Sequence, residues 1–296
     1  MTIRELTFLR PLSHLAMLGA IALSLSAPAV AADAQRIVSV GGAATEVLYR
    51  LGVQDRVVGV DSTSLYPAEA RDKPDVGYIR SLSAEGILSL SPDLIILEEA
   101  SGPPETVAII DKAGLKVAHV PSGYDLGGVP QKIRDIAAAV GKSEDGNKLA
   151  AEVDAELVDL KNRLAGVKTK KRVLFILSLV DGRPMAAGTH TAANGIIELA
   201  GAENVFADVK GYKTLSPEAA AAMKPDAILM IDRSSAPHEG EGLLSVPAFA
   251  ATPAAATGSL FKMDALYLLG FGPRTGQAAR ELASKLYPDL NLAAAK

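Results

Sequence analysis

Two short Gly-Tyr segments carry the residues best suited to chemistry. The first, at 75–81, contains Tyr78 and Arg80, and the second, at 210–214, contains Tyr212 and Lys213. A guanidinium beside a phenol favours the phenolate, which is a hard oxygen donor suited to ferric iron, including haem iron. A loop tyrosine is more often a surface or hinge residue, so both interpretations of Tyr78 stay open on residue types alone.

A repeated pattern follows each Gly-Tyr segment. Residues 82–85 (Leu-Ser-Ala-Glu) and 215–218 (Leu-Ser-Pro-Glu) place Glu85 and Glu218 five residues after Arg80 and Lys213. Each copy then continues to a Pro-Asp pair and a strand. Serine caps a helix well and the acid favours the positive helix end, which explains one copy. Two copies at equal spacing predict two lobes of like topology, with a ligand cleft between them.

Composition excludes several classes of function. The 296 residues are 49% hydrophobic and 22% charged, with a net charge of -4 and no cysteine. A globular chain is therefore expected, without disulfides, thiolate metal sites, a cysteine nucleophile or a lipidated N-terminal cysteine. The slightly acidic balance argues against a nucleic-acid partner. Gly-x-Ser-x-Gly, His-Glu-x-x-His and P-loop motifs are absent, so we expect no enzyme, and an exported hydrolase is a remote alternative.

The first 32 residues have the pattern of a signal peptide. Arg4 and Arg10 precede an apolar core, and small residues follow at 29–31. The core is shorter than the roughly 20 residues of a membrane-spanning helix, which disfavours an anchor. We expect cleavage near Ala31/Ala32 and export of the mature chain.

The rest of the sequence predicts an α/β fold of two lobes, each with a mostly parallel central sheet, joined by one long rigid helix. Short β-branched runs alternate with helical patterns, and the series restarts near residue 172. Between the two series, the apolar positions at 149, 153, 157, 160 and 164 lie on one face of a helix that Ser143 is suited to cap. An ordinary crossover helix inside one sheet is the alternative. The expected divisions are a first lobe at 33–142, a linker at 143–167 and a second lobe at 168–296.

Three segments carry a family resemblance. Residues 75–88 (DVGYIRSLSAEGIL), 211–218 (GYKTLSPE) and 263–274 (MDALYLLGFGPR) closely resemble the periplasmic haem-binding proteins of bacterial ABC haem importers. Nearly all of the mature chain resembles the wider group of binding proteins for cobalamin and ferric siderophores, which have two α/β lobes joined by one rigid helix.

The resemblance implies roles for individual residues. Tyr78 matches the tyrosine that binds haem iron, and Arg80 matches the arginine that hydrogen-bonds its oxygen. Arg233 approximately matches an arginine of the other lobe that lies near the haem. Glu85 and Glu218 match the glutamates that dock onto arginines of the membrane permease.

Three further residues are candidates for the pocket. Tyr212 and Lys213 belong to the Gly-Tyr segment expected to face the first one, with cations near the haem propionates. His190 precedes a predicted helix at the expected cleft rim, and some members of the family use a histidine of the second lobe. A surface or helix-capping histidine is the alternative for His190.

The implied function is capture of haem, the transported ligand, and its delivery to an inner-membrane ABC permease with its ATPase. An outer-membrane haem receptor upstream is a further candidate partner. A ferric siderophore or cobalamin is the alternative ligand.

Overall fold

The computed structural model describes residue 2 and residues 34–232 and 240–292. The predicted signal peptide (Thr2 apart) and the predicted pocket residue Arg233 lie outside the described residues. All contacts reported below lie within one compact unit, Asp33–Lys296. No helix in the described part of the chain is both long and apolar enough to cross a bilayer.

The secondary structure alternates as the sequence pattern predicts. In chain order, the strands are β1 (Ile37–Val40), β2 (Val57–Val60), β3 (Gly77–Tyr78), β4 (Ser81–Leu82), β5 (Leu94–Glu98), β6 (Lys116–Val120), β7 (Arg172–Val180), β8 (Arg183–Ala187), β9 (Glu203–Asn204), β10 (Tyr212–Thr214), β11 (Ala227–Asp232) and β12 (Leu260–Asp264). The α-helices are α1 (Gly42–Arg50), α2 (Ala84–Ser89), α3 (Pro104–Asp111), α4 (Gly128–Ala139), α5 (Ser143–Leu164), α6 (Ala192–Leu199), α7 (Pro217–Ala222), α8 (Pro247–Ala250), α9 (Pro253–Thr257), α10 (Ala265–Leu269) and α11 (Thr275–Leu286).

The first lobe contains a four-stranded parallel sheet in the order β2-β1-β5-β6. All four residues of β1 are buried, as expected of a parallel strand that is covered on both faces. The carboxyl ends of β2 and β5 lie at the same edge of this sheet, and the loops that follow them are hydrogen-bonded to the first Gly-Tyr segment.

The second lobe contains a mixed sheet in the order β10-β8-β7-β11-β12, with β9 beside β7. β11 is parallel to β7 and β12, whereas β8 is antiparallel to both β7 and β10. Asp181 and Gly182 join β7 to β8 with φ angles of 51° and 74°. Positive φ at both central residues is typical of a type I′ turn, whose twist matches that of the flanking strands.

Helix α5 runs between the two lobes over the predicted length. Its 22 residues make it about 33 Å long at 1.5 Å per residue. The five predicted apolar positions are all buried. Lys148 Nζ lies 3.0 Å from Glu144 Oε1, and Arg163 Nε lies 2.8 Å from Asp159 Oδ2, as expected of i,i+4 ion pairs. The predicted cap was wrong: Ser143 is the first residue of the helix, and Lys142 occupies the N-cap position without a side-chain hydrogen bond.

Both sides of α5 pack tightly against neighbouring helices. On the first-lobe side, Gly146 faces Ala137 of α4 so closely that a Cβ at 146 would overlap the Ala137 methyl group. On the second-lobe side, a Cβ at Gly276 of α11 would lie 2.8 Å from a carboxylate oxygen of Glu156. One continuous apolar cluster extends from the first sheet through α5 to α11. The lobes therefore share a core, which opposes large relative motion.

The repeat found in the sequence is also a repeat of hydrogen bonds. Ser83 Oγ accepts a bond from Gly86 N, and Ser216 Oγ accepts one from Ala219 N, each at 3.1 Å. Asp93 and Asp226 then accept bonds from backbone N–H groups at the starts of β1 and β7. Each lobe thus fixes its short, glutamate-bearing helix against its central sheet in the same way.

Candidate functional site

Tyr78 lies on a tight β-hairpin. β3 pairs with β4 so that Tyr78 faces Ser81, and the two turn residues are Ile79 and Arg80. Ile79 is buried in the apolar core of the first lobe. Tyr78 is 50% exposed, and Arg80 is also exposed. The hairpin therefore anchors its apolar turn residue and presents a phenol and a guanidinium to solvent.

Loops from the carboxyl edge of the first sheet hold this hairpin. The N–H of Ser62, after β2, donates to the carbonyl of Gly77 at 2.9 Å. Gly102, after β5, donates to the Ile79 carbonyl and accepts from the N–H of Leu82, both at 2.8 Å. The position of Tyr78 is thus set by backbone bonds to two separate loops.

The second Gly-Tyr segment begins an edge strand of the second sheet. Gly211 has a φ of 76°, which a glycine adopts without strain. Tyr212 then pairs with Ala187 of β8 and is partly buried, whereas the next residue, Lys213, is exposed. The strand therefore places a phenol and an ammonium group on the second lobe.

The two Gly-Tyr segments lie within electrostatic reach of each other. Burial is the largest influence on the Tyr212 phenol and raises its pKa. The phenols of Tyr124 and Tyr78 raise that pKa further, whereas the Arg80 guanidinium lowers it. Because Tyr78 and Arg80 belong to the first lobe and Tyr212 to the second, charges on one lobe influence the titration of a phenol on the other. Tyr124, which the sequence analysis missed, also influences that phenol.

His190 lies in a loop beside the second Gly-Tyr segment. Its neighbour Thr189 accepts a bond from Gly211 N at 2.9 Å, which ties the two loops together. His190 has a φ of 59° and is exposed. It does not cap the following helix, because Thr191 Oγ accepts the bond from Asn194 N. The structure therefore rules out a capping role for His190 and leaves its ring accessible.

Glu85 and Glu218 occupy matching places in the two lobes. Each lies in the first turn of its short helix, α2 or α7, and each is exposed. Hydrogen bonds from the Glu218 backbone N–H and from Ser216 lower the pKa of Glu218. Both helices follow directly on the Gly-Tyr segments, so the two carboxylates flank the cleft residues.

Arg274, which the sequence pattern did not single out, joins the two lobes. Its guanidinium forms two bonds to the Glu46 carboxylate, at 2.9 and 3.0 Å. It also lies 3.6 Å from the ring centre of Tyr66 and 5.2 Å from that of Tyr267. The sequence signal for it was the segment 263–274, which ends in Gly-Pro-Arg.

A second buried ion pair lies in the first lobe, at the carboxyl end of β5. Lys132 Nζ lies 3.8 Å from Glu98 Oε2, and the lysine side chain is 1% exposed. Glu98 Oε1 accepts a bond from the N–H of Ala44 in α1 at 2.8 Å. Burial raises the pKa of Glu98, and the charge of Lys132 opposes that rise. The pair fixes the start of α1 next to the loop that supports Tyr78.

Known proteins of one family are similar to this chain. A family model described as "Periplasmic binding protein" matches residues 37–267. The apo periplasmic heme-binding protein RhuT from Roseiflexus sp. RS-1 is 41% identical, with a TM-score of 0.80 over 86% of this chain and 98% of that one. The periplasmic heme-binding protein BhuT, in complex with two hemes, is 37% identical, with a TM-score of 0.79 over 87% of this chain and 99% of that one.

Binding proteins for vitamin B12 are also similar to this chain. The vitamin B12-binding protein of Vibrio campbellii is 27% identical over 70% of this chain and 74% of its own length. The resemblance inferred from the three sequence segments is thus confirmed, as is the two-lobed α/β fold.

Proposed function

The chain belongs to the periplasmic binding protein family, and on that premise we propose that it binds haem between its two lobes and delivers it to an inner-membrane ABC permease. The observation that carries the proposal is the exposed phenol of Tyr78, which the β3–β4 hairpin presents directly beside its turn residue Arg80. The heme-binding names of RhuT and BhuT support the same ligand. Export to the periplasm, with cleavage near Ala31/Ala32, is part of the proposal.

Tyr78 is the proposed ligand of the haem iron. Its phenol is half exposed on the hairpin and needs no rearrangement of the core to reach a ligand. Tyrosine is an axial haem ligand in other proteins, and an adjacent cation favours the anionic oxygen that ferric iron binds. Arg80, in the same turn, is the proposed hydrogen-bond donor to that oxygen.

The remaining cleft residues suit the periphery of a porphyrin. Lys213 is exposed beside Tyr212 and carries the positive charge that a propionate attracts. Arg233 is proposed for the same environment on the family resemblance alone. His190 is accessible beside the second Gly-Tyr segment, which supports it as a candidate second-lobe ligand.

Glu85 and Glu218 are the proposed contacts with the permease. They are exposed, they occupy equivalent helices in the two lobes, and they lie next to the segments that hold the ligand. Two carboxylates at fixed separation can recognise two cations of a partner, which favours correct docking over other orientations. An ATPase on the cytoplasmic side and an outer-membrane haem receptor complete the proposed pathway.

Cobalamin is the second candidate ligand, because vitamin B12-binding proteins are among the relatives. A ferric siderophore is a further alternative within the same fold. An exported hydrolase has less support, since this is a family of binding proteins.

A competition experiment tests the proposed ligand. The purified mature chain is titrated with haemin while the haem Soret band is recorded, and the titration is repeated with excess cyanocobalamin or ferric enterobactin. We expect a saturable Soret shift that neither competitor reduces. Absence of a saturable shift would overturn the proposal, and loss of the shift with one competitor would transfer the function to that ligand.

A further inference from the structure

Arg274 forms a direct link between the two lobes. Its bidentate pair is with Glu46 of α1, whose side chain is only 4% exposed, and its own side chain is 19% exposed. A carboxylate so deeply buried needs its cation, so the pair is not an ordinary surface ion pair. Arg274 is thereby held in a fixed geometry against the first lobe.

The same guanidinium also holds a first-lobe aromatic ring. Tyr66 is 43% exposed, so burial alone does not fix its ring. The Arg274 guanidinium carbon lies 3.6 Å from the ring centre, well within the range of a cation–π contact. The loop that ends at Tyr66 is therefore restrained by a residue of the second lobe.

That loop is hydrogen-bonded to the hairpin of Tyr78. Asp61 makes it stiff, since its carboxylate accepts bonds from the hydroxyls of Thr63 and Ser64 at 2.6 and 2.9 Å. Ser62 N, one residue after Asp61, donates to the carbonyl of Gly77, the residue before Tyr78. A displacement of Tyr66 would therefore be carried through a short, rigid loop to the base of the hairpin.

We propose that Arg274 is a positioning residue that sets the place of the Tyr78 hairpin from the opposite lobe, through Tyr66 and the loop at 61–66. The part of this proposal that concerns ligand binding rests on the proposed haem function. Arg274 itself does not need to touch haem. Its role is to keep the iron-binding phenol at one distance from the second lobe.

Substitution of Arg274 tests the proposal. Arg274→Lys keeps the charge but loses the planar, bidentate geometry. We expect amide hydrogen exchange in a peptide covering residues 61–79 of the ligand-free protein to become about tenfold faster, and haemin affinity to fall about tenfold, equivalent to about 1.4 kcal/mol. Tyr66→Ala is expected to reproduce both effects, whereas Tyr66→Phe keeps the ring and is expected to leave both nearly unchanged.

Arg280→Lys is the matched control. Arg280 lies on α11 and pairs with Asp159 at 2.8 Å, away from the loop at 61–66. The Arg280→Lys variant is expected to change neither the amide hydrogen exchange of residues 61–79 nor the haemin spectrum. This should hold even if its melting temperature falls as much as that of Arg274→Lys.

Two results would overturn the proposal: wild-type exchange rates in Arg274→Lys, or faster exchange with unchanged haemin affinity. If the wild-type protein gave no Soret shift, the proposed haem function would fail separately. The exchange measurement, which needs no ligand, would still decide whether Arg274 holds the hairpin.

Discussion

Glu46 and Arg274 are 228 positions apart in the sequence, yet they form a bidentate ion pair that joins the two lobes. Beside this pair the backbones also approach closely, since a Cβ at Gly272 would lie 3.3 Å from the Ala43 methyl group. Together with the shared core around α5, these contacts restrain the lobes. Ligand binding in such a protein is expected to need little domain closure.

Small lobe movement can be measured in solution. We expect haemin to change the radius of gyration, determined by small-angle X-ray scattering, by less than about 1 Å, as in other pre-organised binding proteins. The Arg274→Lys variant is expected to show a larger difference between its free and bound forms. A large compaction of the wild-type protein on binding would contradict the rigid arrangement.

Permease docking should separate from ligand binding. The double variant Glu85→Gln/Glu218→Gln is expected to lower haem transport in reconstituted vesicles more than about tenfold, because each substitution removes one carboxylate that contacts the permease. Haemin affinity should stay at the wild-type value. Glu105→Gln is the control, since Glu105 is also an exposed glutamate in a first helical turn, but on α3. A fall in haemin affinity in the double variant would remove the docking assignment.

The influence of the Arg80 charge on Tyr212 predicts a titration effect that needs no ligand. The Arg80 guanidinium favours the Tyr212 phenolate, so Arg80→Gln should raise the pKa of Tyr212 beyond the rise that burial already causes. Alkaline titration of phenolate absorbance, with Tyr212→Phe used to identify the transition, measures the change. Lys210→Gln, which removes a cation two residues from Tyr212, serves as the control. An unchanged transition in Arg80→Gln would mean that the two segments do not face each other.

The buried Lys132 predicts a pH-dependent loss of stability. Lys132→Met leaves the Glu98 carboxylate without its cation, and we expect a loss of about 3 kcal/mol at pH 7 in urea denaturation. Burial already raises the pKa of Glu98 above its ordinary value. A raised folded-state pKa makes protonation favour folding, so the loss should shrink as the pH falls through that pKa. Lys116→Met, at an exposed lysine, is the control, and an equal loss there would contradict the account.

The local pattern of the sequence was enough to predict the elements whose partners are near in sequence. The spacing of apolar residues in α5 fixed its buried face, and the Ser-x-Glu repeat correctly predicted α2 and α7. The β7–β8 hairpin was missed, although Asp181-Gly182 is a strong turn signal. Its strands lack polar alternation because β7 is largely buried, and the run was interpreted as a parallel strand alone.

The candidate site was only partly predictable, because some of its contacts lie between the two lobes. Tyr78 and Arg80 share one hairpin, so their neighbourhood follows from local sequence. The contact between Arg274 and Tyr66 depends on how two lobes meet, and no local pattern encodes that. Tyr124 was likewise missed, because its ring meets that of Phe271 of the second lobe, 5.1 Å between ring centres, and this contact depends on how the lobes pack.

Ligation of haem iron by Tyr78 is the central claim, and one pair of absorption spectra tests it most directly. Tyr78→Phe keeps the ring and removes only the oxygen donor, so the hairpin should remain intact. We expect the wild-type protein with haemin to show the spectrum of a tyrosine-ligated ferric haem, and Tyr78→Phe to lose that spectrum and bind at least about 100-fold more weakly, near 2.7 kcal/mol. An identical spectrum and affinity in Tyr78→Phe would contradict the account.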